Sequence, residues 1–218
     1  MKEKNKIARQ NPFYLLGVLI VHGETRGVGF RLLKTVWVDF FWPQYKTRLL
    51  KGRSGVASID HPLDEVIEFG TWPIKKYLSF VHLWWKSLGY LHKELGKEVI
   101  PDIKEFVVEM DVLYGVAGRV YDEIQTTTKR PRDVWKPHFM ILRVFDPHFH
   151  CLPSLHVVIV LFNYIKYREI SEKHKKTQPE IVEYVEYAYN EAKLITESVL
   201  IVKQHSINCI AASLAVIG

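Results

Sequence analysis

The chain is poor in cysteine and in every repeated feature. Cys151 and Cys209 are its only two cysteines in 218 residues, too few for a disulfide framework and far from a Cys-x-x-Cys metal spacing. No internal repeat or low-complexity segment is present, which excludes a solenoid. There is no Arg-rich tract and no nucleic-acid-binding motif, so nucleic acid is not an expected partner. Long apolar runs are also scarce. A spanning helix needs about 20 mostly apolar residues. Residues 147–165 have no formal charge but carry His148, His150 and His156, residues 204–218 are likewise uncharged, and the mean hydropathy of −0.05 is low for a chain of many spans. The basic start (1–10) and apolar segment (12–21) resemble a signal peptide, yet no small-x-small cleavage site follows, and the segment reads as an anchoring or packing helix.

What is present is ordinary globular composition, 48% hydrophobic and 25% charged, in 25.6 kDa, enough for one substantial core. The net charge of +6 and pI near 9.1 favour an anionic partner, a lipid headgroup or a phosphorylated substrate. Residues 23–29 punctuate with three glycines. In residues 30–50, Trp37, Phe40, Phe41 and Trp42 are interleaved with cations, as suits either a lipid–water interface or an aromatic helix face. Residues 51–62 read as a loop. Helical spacing of Ile74, Tyr77, Leu78, Val81, Trp84, Trp85, Leu88 and Leu91 predicts one helix over 73–95, closed by Gly96. A second helix starts at Pro101 and runs through Ile124, with Gly115 and Gly118 marking close approach of a neighbour. Two further helices are expected over 154–175 and 180–202. The first is apolar in its first half and charged at its end, and the second has acids near its positive end.

Chemistry concentrates in residues 149–156, Phe-His-Cys-Leu-Pro-Ser-Leu-His. Pro153 and Ser154 signal a helix start, with Ser154 available to cap it. His156 then falls in the first turn, where unpaired N–H groups and the positive end of the helix dipole attract phosphate. A histidine fixed there can pass a proton to or from a bound group. Upstream, Lys129-Arg130-Pro131-Arg132 forms a stiff basic loop able to hold a dianion through bidentate arginine contacts.

Three segments in order carry a resemblance. Pro153-Ser154-Leu155-His156 resembles the central Pro-Ser-Gly-His motif of the phosphatidic acid phosphatase type 2 and vanadium haloperoxidase superfamily, with Leu for Gly as in its inositol-phosphorylceramide synthase-like branch. Lys129-Arg130-Pro131-Arg132 resembles the Arg-Pro-containing first motif, and Ser198 through His205, followed by Cys209, the third motif. The resemblance covers about residues 105–218. It implies an all-α helical bundle in a membrane setting, with an N-terminal helical region (1–100) joined to a phosphatase-like core (101–218) in one folded unit. It further implies a metal-independent phosphatase or phosphotransferase that needs no cofactor and acts on a phosphorylated lipid or similar phosphomonoester. By position, His205 would be the nucleophile that becomes phosphohistidine and His156 the acid for the leaving group. Lys129, Arg130, Arg132, Ser154, the amide of Leu155 and Lys203 would hold the phosphate.

Departures from the pattern are informative. The Lys that precedes the family's Arg-Pro pair is absent, with Glu123 or Gln125 at the corresponding place. Val199 replaces the third-motif Arg, and Cys209 replaces the Asp that orients the nucleophile. On a continuous helix Cys209 or Asn208 would face His205, and a thiol accepts hydrogen bonds weakly. Losing an orienting carboxylate costs up to roughly 10⁴-fold in a serine-protease triad. Two alternatives follow: a catalytically impaired relative that binds lipid headgroups or acts as a scaffold, and a zinc protein built on His148, His150 and Cys151, of which alternation would place His148 and His150 on one side of an extended segment.

Overall fold

The apolar segment near the start forms α1 (Tyr14–Val21) in the computed structural model, which describes residues 6–50, 55–131 and 135–218. The glycines at 23, 27 and 29, which the sequence predicts as punctuation, do not interrupt the chain; α2 (Gly23–Thr35) runs straight through them. Each glycine costs a helix about 1 kcal/mol. Packing of α2 on α1 and on the long helix over Ile100–Glu123 overrides that cost, and the Thr25 hydroxyl, 3.1 Å from the His22 carbonyl, ties the two short helices together. Residues Val36–Phe41 continue as a π-helical turn into α3 (Trp42–Leu50).

The helix expected over 73–95 is broken in two, α4 (Ile74–Tyr77) and α5 (Phe80–Leu95), with the Ser79 hydroxyl donating to the Lys76 carbonyl at 2.7 Å in the break. Both pieces pack on the helix over Val185–Ile201, while α4 also meets the helix over Pro137–Phe145 and α5 the helix over Leu155–His174. Gly96, at φ 62°, ends α5 as expected. The next helix, α6 (Ile100–Glu123), has proline in its first turn. Of its two glycines, only Gly118 receives a close neighbour. A Cβ there would lie 2.8 Å from Asp39 Cβ and 3.1 Å from the Asp39 carbonyl oxygen, whereas Gly115 faces only the end of Arg119.

Two dipeptides in segments read as loop and helix end, β1 (Ala57–Ser58) and β2 (Thr126–Thr127), pair in parallel with Ala57 opposite Thr126. Such short strands have no periodicity to read. A further helix, α7 (Pro137–Phe145), lies in a stretch for which the sequence predicts no element. The chain then forms α8 (Leu155–His174), α9 (Val185–Ile201) and α10 (Ile207–Ile217). Val157, Val158, Ile159 and Val160 of α8 are fully buried. Four consecutive residues point around the whole circumference of a helix, so α8 must be surrounded. Helices α5, α6, α9 and α10 do this. One apolar cluster runs from Leu15 and Leu19 through Trp84, Leu88, Phe106 and Met110 to Val158 and Phe162, joining both halves of the chain.

The architecture is all-helical apart from the β1–β2 pair. Among the described residues no helix is long and apolar enough to cross a membrane. Because the atoms facing Gly118 belong to the backbone and Cβ of Asp39, they cannot rotate away. Gly118→Ala is therefore expected to destabilise the fold by about 1–3 kcal/mol despite alanine's better helix propensity, and Gly115→Ala to be neutral or stabilising. Urea unfolding of the two variants checks this.

Candidate functional site

Strand β2 builds the platform for the residues leading into α8. Thr126 N–H donates to the Phe149 carbonyl at 2.9 Å, and the Thr126 hydroxyl accepts from Leu152 N–H at 2.9 Å. Tyr121 donates to the Pro153 carbonyl at 2.7 Å. Ser154 takes the N-cap position, but its hydroxyl does not bond back to the helix as its sequence context predicts. Its N–H instead donates to the Ser213 hydroxyl of α10 at 2.9 Å, which leaves Ser154 Oγ buried without a partner. The amides of Leu155 and His156 likewise find no acceptor among the described residues. The start of α8 thus presents unpaired donors in the interior.

His156 stands in that first turn, stacked against Tyr77 of α4 with ring centroids 4.1 Å apart and flanked by Phe80 at the same distance. Burial pushes its imidazole well below the usual histidine range, and the neighbouring His205 adds to the effect. The His205 ring lies 5.5 Å from it, centroid to centroid.

His205 is not helical. The chain leaves α9 through Lys203 at φ 56°, with Lys203 N–H donating to the Leu200 carbonyl at 3.0 Å and Gln204 N–H to the Val199 carbonyl at 3.1 Å. This is the paired bond pattern of a helix C-cap that glycine normally occupies. It aims His205 back at α8. Its Nδ1 lies 3.1 Å from the Cys151 carbonyl oxygen, which can only accept, so Nδ1 carries the proton and Nε2 holds the lone pair. Nε2 is buried without a partner. Burial pushes this histidine down to about 4, against the opposing pull of the Cys151 carbonyl.

The break between α9 and α10 corrects the expected orienting role of Asn208 and Cys209. Cys209 Sγ accepts from Ser206 N–H at 3.3 Å and so belongs to the capping box of α10, and Asn208 Nδ2 donates to the Ile59 carbonyl at 3.1 Å. A helix spacing of four has no meaning across a turn. Val199, where the third-motif arginine would stand, is fully buried in an apolar cluster with Ile74, Tyr77 and Val157.

The basic residues gather outside the buried histidine pair. Lys129, Arg130 and Lys203 line one cleft of about 800 Å³, together with the carboxylates of Asp60, Asp64, Glu65 and Glu68. Lys203 Nζ donates to the Asp64 carbonyl, and Arg130 Nη1 donates to Gln204 Oε1 at 3.3 Å, beside His205. An adjoining recess of about 490 Å³ carries Lys129, Arg130 and Arg143 with the hydroxyls of Ser58, Thr127 and Thr128 and, among the described residues, no carboxylate. Neither His156 nor His205 lines either opening. Leu155 contributes its side chain to the core. Arg132 lies outside the described residues. Tyr77 and Arg143 were invisible as site residues in the sequence: a tyrosine at helical spacing reads as core, and no motif spacing points to Arg143.

The zinc ligand set does not assemble. At φ 67°, His148 breaks the alternation, and its ring nitrogens contact Cys151 Sγ at 3.6 Å and Thr128 Oγ1 at 3.0 Å. His150 turns away and stacks on Tyr121 at 4.3 Å and 9°. Among the described residues no group of three or more His, Cys, Asp or Glu could hold a metal ion.

Both ring nitrogens of His150 lack partners, and burial pushes it down to about 3. Unfolded, the same histidine binds a proton below about pH 6.5. The unfolded state then holds more protons than the native one, so stability falls as pH drops from 6.5 toward 3. His150→Phe keeps the stack on Tyr121 and removes this penalty. Its stability relative to wild type should rise progressively from pH 7.5 to pH 4, as read by denaturant unfolding at each pH.

Comparison of the chain with protein-family models, with curated proteins and with solved structures finds no significant match to any of them.

Proposed function

We propose that the chain is a metal-independent phosphatase or phosphotransferase of the phosphatidic acid phosphatase kind, acting on a phosphorylated lipid or similar phosphomonoester. The observation that carries the reading is the convergence of His156 and His205, rings 5.5 Å apart, at a helix start whose first amides have no acceptor among the described residues. Phosphoryl transfer needs a nucleophile in line, neutralisation of charge and little else. His205 is suited to attack through Nε2, because the Cys151 carbonyl holds the proton on Nδ1. A neutral carbonyl stabilises the imidazolium formed in the transition state less than a carboxylate would, so turnover is expected to be slower than with the family's Asp. The Leu155 and His156 amides, Ser154 Oγ and the buried, unpartnered Tyr77 hydroxyl would bind the equatorial oxygens. Arg130 and Lys203 would draw the anion in, with Lys129 and Arg132 of the same basic loop behind them. His156 is neutral in the free chain, and the charge of a bound phosphate raises its pKa toward the range where it can protonate a leaving group.

In the bond-making step, His205 Nε2 donates its pair to phosphorus while the ester P–O bond breaks and its electrons go to the leaving oxygen, which takes the proton from His156. Water or an alcohol then attacks the phosphohistidine, giving up its proton to His156 and returning the N–P pair to His205. A second reading, a relative that binds phosphorylated headgroups without turnover, draws on the four carboxylates in the basic cleft and on the enclosure of both histidines.

Phosphate release from short-chain phosphatidic acid, measured in detergent with chelator present, tests the choice. Vanadate-sensitive release that disappears in His205→Ala, and an acid-quenched phosphohistidine that disappears with it, are expected. Tyr77→Phe should lower kcat/KM by about tenfold or more through loss of one donor to the anion. Vanadate binding without release, in both wild type and His205→Ala, would favour the headgroup-binding reading.

Lys203 separates function from folding. A non-glycine residue at φ 56° costs about 1 kcal/mol, so Lys203→Gly is expected to leave the unfolding midpoint unchanged or raised while weakening vanadate binding. A parallel loss of stability and of binding would make Lys203 structural.

A further inference from the structure

The chain's positive charge is concentrated at one end. Residues 1–50 contain nine Lys and Arg against three Asp and Glu, a net of +6, while residues 51–218 hold 21 of each. The entire excess therefore lies in the first quarter of the sequence. The same quarter exposes its apolar side chains. Ile20, Val21, Phe30, Leu33, Trp37 and Trp42 are each more than half exposed, Val21 at 77% and Trp37 at 61%. Between α1, α2 and α5 lies a recess of about 300 Å³, walled by residues such as Leu16, Leu19, Phe30, Val81 and Trp84, in which Arg26 is the one charged lining residue.

We propose that this face lies on an anionic phospholipid bilayer, and that the recess seats one acyl chain of it. Exposed aromatic and aliphatic side chains beside lysine and arginine are the composition of a surface that sits at the headgroup boundary. Helices α1 and α2, of 8 and 13 residues, are too short to span the roughly 30 Å of hydrocarbon, so the contact is to one leaflet. Charge decides against a second copy of the chain as the occupant. Face-to-face association would bring exposed cations such as Arg26 and Lys34 of two copies together, whereas an anionic leaflet attracts each basic residue with about 1 kcal/mol. Arg26 at the recess places a cation where the headgroup of a seated lipid emerges. The inference uses none of the residues of the histidine site, and partition is measured without turnover, so it and the phosphatase reading can fail separately.

The experiment is co-sedimentation of the full chain with phosphatidylcholine vesicles, with and without about 30% phosphatidylserine. Partition is expected to require phosphatidylserine and to collapse at about 0.5 M salt, where charge is screened within a few ångströms. Lys34→Glu should weaken it by about fivefold or more, from the attraction of one basic residue lost. Phe30→Ser with Trp37→Ser should abolish it with helical circular dichroism unchanged, since both side chains are exposed. Dihexanoyl-phosphatidylglycerol below its micelle concentration should change tryptophan fluorescence with saturation at one lipid per chain. Gly29→Leu, whose side chain would fill the recess, should remove that signal. No partition, equal partition onto both vesicles, or a dimer in sedimentation equilibrium that the Phe30/Trp37 variant disperses would overturn the bilayer assignment. A lipid titration unchanged by Gly29→Leu would overturn the recess.

Discussion

Burial of a helix beginning is the constraint on which this molecule depends. The first half of α8 is apolar on every side, so the chain can bury it only by surrounding it, and the surrounding helices come from both halves of the sequence. Burying Val157 through Val160 stabilises the fold by roughly 1.5–3 kcal/mol per side chain. Enclosing the helix start, however, withdraws unpaired N–H groups from water. The chain answers by bringing polar groups to that point: Ser213 to the Ser154 amide, Tyr121 to the Pro153 carbonyl, and His205 to the Cys151 carbonyl. Ser154 Oγ, Tyr77 Oη and His205 Nε2 remain without partners. Buried polar atoms in this state are costly, and their grouping around one helix start supports the proposed anion site.

The electrostatics follow from the same enclosure. Desolvation keeps His156, His205 and His150 neutral, for a common reason and with different consequences. For His205 neutrality leaves a lone pair on Nε2, which the proposed attack on phosphorus requires. At His150 it is a cost in acid without a compensating hydrogen bond. The positive groups, Arg130 and Lys203 among them, stay nearer water, where solvation is retained and carboxylates such as Asp64 and Glu65 share the cleft. The result is a buried histidine pair beside an open charged cleft, linked by the Arg130–Gln204 bond and the short Lys203-Gln204-His205 turn.

Long apolar periodicities were legible in advance. The helices over 154–175 and 101–124, the stop at Gly96 and the close approach at Gly118 all follow from residue spacing, because each reflects local backbone preference or a face that must be buried. Misreadings occurred where a tertiary contact outweighed local preference. Helix α2 passes through glycines because α6 packs on it, the 73–95 helix breaks so that Tyr77 can reach His156, and β1 and β2 are too short to have a period. Asn208 and Cys209 lost their expected role because a left-handed residue at Lys203 and the capping box at Ser206 interrupt the helix on which that role depended.

The sequence by itself determined the helical class and the start of α8 at Ser154, since these depend on proline placement and apolar periodicity. Tertiary structure alone decided which atom lies against His205 Nδ1, that Tyr77 stacks on His156, that His148 and His150 part, and that aromatic side chains of the first quarter stay exposed. Those outcomes depend on contacts between residues tens of positions apart, and spacing along the chain carries no information about them.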